Sequence, residues 1–212
     1  MPVVLFPTGT RTYEGTVRDV LDRARILLQD EGRETPTSRV DPTLYRWTDA
    51  ELITWVNDGL DAAVRINPAL FTKPLTHSCT AGYYQTLALA RAVRVVDVVG
   101  VTVCDEATLT QFSPGWQVSA AGPAVNWMRA PGDENSFMVY PPSASNQTLA
   151  VMVVQAHPRV DDGADVINLP ETHIPALAQF VVGMAESKDD EQINTQRQQA
   201  VMANFASLIK GS

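Results

Sequence analysis

Apolar residues along the chain fall into two periods, and the change between them divides the sequence. From Thr16 to Gln29, Val17, Val20, Leu21, Ala24, Leu27 and Leu28 recur at three- and four-residue steps, with Arg18, Asp22, Arg25 and Gln29 on the other side. That spacing predicts an amphipathic helix, opened by the Thr16/Asp19 pair and stopped by Gly32. A second helix is predicted from Thr48. The Thr48 hydroxyl and the Glu51 carboxylate are spaced for a reciprocal capping box, with Trp47 and Leu52 at the flanking staple positions. Leu52, Ile53, Val56, Leu60, Ala63 and Val64 line its inner face, and Pro68 ends it by restricting Asn67 to extended geometry.

Between about 72 and 160 the period shortens to two. Strands are predicted at Lys73–Cys79, Tyr84–Leu89, Val93–Val103, Ala124–Arg129, Phe137–Tyr140 and Thr148–His157. Turns are predicted at 130–135 and at 141–146, where Pro, Gly, Asn and Ser cluster. Residues 90–97 also fit a helix. Strands at this spacing argue for a small antiparallel sandwich or partly open barrel. The helical period then returns at about 171–188, where Ile174, Leu177, Ala178, Val181 and Ala185 share a side and Pro175 falls in the first turn. It returns again at about 191–210, with Ile193, Gln196, Ala200, Phe205, Leu208 and Ile209. Acidic residues 189–191 and Lys210 suit the two ends of that last helix.

The expected fold class is therefore α+β: an antiparallel bundle of two N-terminal and two C-terminal helices, carrying an inserted antiparallel β-sandwich or barrel-like domain. Residues 14–71 and 168–212 make the helical domain, 72–160 the insert, and 161–167 an acidic, solvated connector. Residues 1–13 read as an extended arm with Val3, Val4, Leu5 and Phe6 as its apolar part. The polar stretch 31–46 is too long for a tight helix hairpin and should project.

The chain has 212 residues, 45% of them hydrophobic and 19% charged, enough to bury a core and too apolar for disorder. Its longest apolar run, Val93–Val103, is broken by Arg94 and Asp97, so no membrane span is expected. Met1–Pro7 lacks a basic start and a small-residue cleavage site and is not expected to be a signal peptide. Cys79 and Cys104 are too few for a disulfide framework. A formal net charge of −8 disfavours binding of nucleic acid through its phosphates; it fits a surface that such a polymer slides past or, as the better reading, simply solubility.

Chemistry is sparse. His77, His157 and His173 stand apart, with no partner at metal-ligand spacing. There is no nucleophile elbow and no phosphate loop. Residues 161–165 look superficially like a calcium loop but lack its later glutamate. Among four tryptophans, Trp47 and Trp55 belong to helix packing, and only Trp116 reads as loop-borne, with packing favoured over sugar stacking. No catalytic, cofactor or metal site is expected.

Four blocks in order carry a resemblance. They are Thr16-Val17-Arg18-Asp19-Val20-Leu21 with Ala24 and Leu27-Leu28; Trp47 through Asp58; Phe137-Met138-Val139-Tyr140-Pro141-Pro142; and Leu169 through Leu177, continuing from Ala185 to Asp190. Together they resemble the head-to-tail adaptor proteins of tailed bacteriophages, especially the short-tailed type. The resemblance implies a non-enzymatic virion protein of the neck, made in the host cytoplasm and free of cofactors. Such a protein forms a ring, expected to be dodecameric, beneath the portal protein. It extends the DNA channel and docks tail nozzle or tail tube proteins, while genomic DNA passes through the lumen without specific binding. The chain ends at Ser212 directly after the last predicted helix, so a long portal-embracing tail is not expected. Candidate subunit or portal contacts are Val3, Val4, Leu5, Phe6, Arg33, Arg39, Phe205 and Ile209. The alternatives are a phage-encoded hydrolase, which needs ionisable side chains converging in a cleft, and a tail-fibre or carbohydrate-binding module, which needs an exposed Trp116.

Overall fold

A computed structural model of the chain describes residues 14–30, 45–89, 91–188 and 195–211. It divides into two compact units: residues up to Ile66 together with those from Arg159 onward, and residues Asn67–Pro158 between them. The fold is α+β with a β-sandwich. The short 3-10 turn Pro68–Phe71 lies in the second unit and packs on its strand Thr148–Gln155.

The first unit is helical. Strand β1 (Glu14–Thr16) leads into α1 (Val17–Leu28), and α2 (Asp49–Ile66) follows. Strand β9 (Val166–Pro170), α4 (Ile174–Lys188) and α5 (Thr195–Lys210) complete it. Both predicted capping boxes form. Thr16 Oγ1 accepts from the Asp19 N–H while the Asp19 carboxylate accepts from the Thr16 N–H, and Thr48 and Glu51 do the same on α2. The stop of α1 is not Gly32, which lies outside the described residues. Gln29 ends the helix in a left-handed conformation, φ 55°, with its N–H turned back to the Arg25 and Ile26 carbonyls.

Helix α4 is the hub. Ile174, Ala176, Leu177, Ala178, Phe180, Val181, Val182, Gly183 and Ala185 are all buried, so it is apolar around almost its whole circumference. It packs against α1, α2 and α5. Gly59 lets α2 approach closely, since a Cβ there would lie 3.0 Å from the Phe180 ring. Gly15 is tighter still: a Cβ would meet the Ile174 side chain at 2.5 Å.

Two residues of α1 reverse their expected sides. Arg25 is buried, and Leu27 is 48% exposed. The cause is a cluster of charges. The Arg25 guanidinium donates to Asp30 at 2.9 Å and to Asp49, and lies 3.7 Å over the Tyr45 ring. Asp30, itself buried, also accepts from the Arg46 and Trp47 N–H groups. A guanidinium bonded to a carboxylate at each terminal nitrogen and lying over a ring can be buried where a lone charge cannot.

The connector at 161–167, exposed at 161, 162, 164 and 166, is a folded turn running into β9. The Asp165 carboxylate accepts from the Asp161 and Asp162 N–H groups, and the Asp165 and Gly163 carbonyls take the first free N–H groups of α1, from Val17 and Arg18. Its carbonyls thus supply partners that a helix N-terminus lacks. Just upstream, the Asn57 amide holds both the N–H and the carbonyl of Val160.

The second unit is two sheets and a cover. One sheet has the order β2 (Thr72–Ser78), β8 (Thr148–Gln155), β4 (Ala92–Val98); the other runs β3 (Gly82–Thr86), β7 (Ser136–Ser143), β6 (Asn126–Arg129), β5 (Thr102–Val103). Alternation along the strands explains the layers. Val95, Val98, Val151 and Val153 of the first sheet share a core with Trp127, Phe137 and Val139 of the second. Met128 and Met138, on the other face of the second sheet, pack with Leu109 and Trp116. Those two come from helix α3 (Glu106–Phe112) and the 3-10 turn Trp116–Val118, in a stretch where the periodicity predicts no element.

Three strand expectations change. The run Val93–Val103 breaks into β4 and β5 around Gly100, φ 77°, and the helical option at 90–97 does not form at Ala92–Val98. The turn expected at 141–146 starts later, because Pro141–Ser143 continue β7. There the Pro142 carbonyl accepts from Gly122 and Ser143 pairs with Gly82. In α5, Ala200 and Leu208 are exposed although the pattern placed them inward, and the acidic start at 189–191 lies outside the described residues.

Removing the Asp30 carboxylate leaves Arg25 and two backbone N–H groups short of a partner. Asp30→Ala is expected to lower unfolding stability by about 3 kcal/mol, as for a broken buried ion pair. Urea denaturation checks this, and a loss of well under 1 kcal/mol would show the cluster to be dispensable.

Candidate functional site

The histidines do not come together. His77 sits on β2 with Nε2 3.4 Å from the Gln85 Oε1 and its ring edge-on to Phe137. His157 is buried, with Nδ1 2.6 Å from the Pro158 carbonyl. His173 pairs with its neighbour Thr172 at 3.2 Å. Among the described residues no group of three or more His, Cys, Asp or Glu side chains could hold a metal ion. Cys79 and Cys104 are free thiols, and burial pushes the Cys79 thiol up against a smaller lowering from Ser143. Trp116 is fully buried, its indole N–H donating to Thr110 at 3.2 Å, so it offers no stacking surface.

What the helical unit does build is a rigid junction of charges and rings. Trp47 and Trp55 meet edge to face at 5.3 Å. Lys188, the last residue of α4, stands over both rings and donates to Glu51 at 2.7 Å. The first turn of α2 is thereby tied to the end of α4. The hydrogen bond from Lys188, with those from the Thr48 backbone and hydroxyl, holds the Glu51 carboxyl down to about 2. Burial works to raise Asp49, but the hydrogen bond and charge of Arg25, backed by Arg18, keep it below its ordinary value. These shifts belong to ion pairs at helix ends and set up no acid and base for catalysis.

The exposed apolar side chains are the features left over. On the helical unit, Ile26 is 62% exposed beside Leu27. They line a groove of about 300 Å³ with Arg23, Pro175, Ala178 and Gln179. A second groove, of about 400 Å³, continues from Leu27 and Gln179 along Val182, Ala200, Val201 and Asn204. On the sandwich unit, Phe112 at 80% and Val118 at 88% stand out from the ends of the α3 cover. Apolar surface of this kind marks contact with other chains more often than chemistry.

Of the predicted contact residues, Val3, Val4, Leu5, Phe6, Arg33 and Arg39 lie outside the described residues. Phe205 and Ile209 are buried inside the helical unit, Phe205 with its ring centroid 4.9 Å from that of Phe180. They serve their own core rather than a free surface. The exposure of Ile26 and Leu27 is not legible in the periodicity, which assigns Leu27 to the interior. Its signal was the adjacent Arg25, whose acidic partners drew it inward.

A family model described as SU10 adaptor protein matches residues 15–212, nearly the whole chain and both units. No curated protein matches it.

With its carboxyl at about 2 rather than an ordinary 4.5, Glu51 binds a proton less readily in the folded chain than in the unfolded one. The stability this contributes is complete above about pH 4.5 and is lost as pH falls toward about 2. Asp49 and Asp19, lowered in the same sense, add to that acid sensitivity. Glu51→Gln is expected to flatten the fall of thermal stability across this range; superimposable acid curves for the two proteins would refute the coupling.

Proposed function

Since the chain belongs to the SU10 adaptor protein family, making it a structural head–tail adaptor of a bacteriophage virion, we propose that it works as a ring beneath the portal. The carrying observation is the family match across residues 15–212, which spans the helical unit and the inserted sandwich alike. In this reading copies join side by side around the axis, the ring being dodecameric. The portal protein binds on one side, tail nozzle or tail tube proteins on the other, and the genome threads the lumen. Each copy repeats the same heterologous contact, so a modest pairwise affinity is multiplied by ring closure.

The physical character of the chain supports this. A net charge of −8 suits a channel wall that repels the DNA it conducts. In the helical unit the buried Arg25 cluster and the Lys188 junction tie helix ends together, which suits a spacer between head and tail. Contacts to neighbours and portal are assigned to the arm residues Val3–Phe6 and to Arg33 and Arg39. The exposed Phe112 and Val118 offer the sandwich unit a further contact. Neither a hydrolase nor a sugar-binding module draws support from the described residues, where the histidines stay apart and Trp116 is enclosed.

Purified chain mixed with its portal protein should give a closed ring seated on the portal in electron micrographs. Phe112→Asp is expected to reduce ring occupancy several-fold without lowering the melting temperature of the free chain. Absence of any portal complex at high protein concentration would overturn the reading.

A further inference from the structure

We propose that, in the chain before assembly, the groove formed by α1, α4 and α5 is the seat of the chain's own N-terminal arm, residues 1–13. The two grooves on the helical unit share Leu27 and Gln179 and so form one trough, walled by Ile26, Leu27, Ala178, Val182 and Val201. Leu27 and Ile26 stand nearly half or more exposed on a helix whose other apolar residues are buried or half-buried. The trough therefore presents apolar surface that water solvates poorly.

The occupant follows from where the arm leaves the fold. Glu14, the first described residue, pairs with Pro170, just before the start of α4. Gly15 touches Ile174, whose neighbour Pro175 lines the near end of the trough. From Pro175 to Val182 the trough follows α4 for about 10 Å, at ~1.5 Å per residue. From Glu14 back to Phe6 the chain can span up to about 26 Å, at ~3.3 Å per residue. Val3-Val4-Leu5-Phe6 can thus reach the far end with slack for a bend at Pro7 and Gly9.

Chemistry agrees with reach. The arm carries four consecutive apolar side chains and no acidic residue. The trough offers apolar walls, one charge at its entrance (Arg23), and the mutually bonded amides of Gln179 and Asn204. A tether this short supplies the arm at an effective concentration of about millimolar, which another copy in dilute solution cannot match. The inference concerns the free chain and does not depend on the ring.

The test is a disulfide between Leu5→Cys and Ala200→Cys in the full chain, with Cys104→Ser added; Cys79 is buried and left in place. Under mild oxidation the expected product is an intrachain bond, monomeric on a non-reducing gel. Its yield should be unchanged by dilution and should drop several-fold when Leu27→Asp is added. Leu27 is exposed, so that change spares the fold. Cross-links only between chains would assign the trough to another copy's arm and overturn the proposal. So would equal cross-linking when the second cysteine is placed at the exposed Asp58 on α2 instead, or no cross-link at all.

Discussion

The helical unit depends on one buried cation. Arg25 sits in the last turn of α1, where a positive charge suits the helix end, and its guanidinium reaches both Asp30 just past that helix and Asp49 in the first turn of α2. Asp49 in turn suits the positive end of α2. One side chain thus links two helix termini whose dipoles it complements, and Asp30 adds two backbone N–H groups from the segment entering α2. Ridges of apolar side chains alone would leave the crossing of α1 and α2 adjustable. A fork of directional hydrogen bonds does not.

Around that clamp the remaining elements take places set by α4. A helix buried on nearly every side has no preferred face of its own, so its surroundings must be specified by what packs against it. Gly15 and Gly59 supply close approach from β1 and α2, and Lys188 fixes the far end through Glu51 and the two tryptophans. The sandwich unit is held differently. Its order comes from β-sheet alternation, with Trp127 and Phe137 on one side of a sheet and Met128 and Met138 on the other, each side separately covered.

Both units use their polar groups for architecture. Gln85 is fully buried yet exchanges hydrogen bonds with Thr80 and Gly82, fixing the turn between β2 and β3. The perturbed carboxylates lie at helix ends and turns, beside hydroxyls, backbone N–H groups and cations. This accords with membership of a structural virion family, in which surfaces that meet other head and tail proteins carry the function.

The sequence by itself determined the elements whose causes are local. Capping boxes at Thr16 and Thr48 need only residues three apart, and the proline after α2 and the alternation of Thr148–Gln155 are equally short-range. The ordered blocks around these elements also sufficed to point to the adaptor family. Only the tertiary structure decided which charges go inside. Arg25 and Leu27 exchange their expected sides because Asp30 and Asp49, far apart in sequence, both pair with Arg25, a meeting that periodicity cannot see. The same holds for the acidic turn at 161–165, whose carbonyls find unpaired N–H groups of a helix far away in sequence, and for Trp116, enclosed by a sheet face that exists only once β6 and β7 pair. Helical and strand periods report the burial of one element against a generic core. Which side chain meets which is set by long-range pairing, and there the contact surfaces of this adaptor are made.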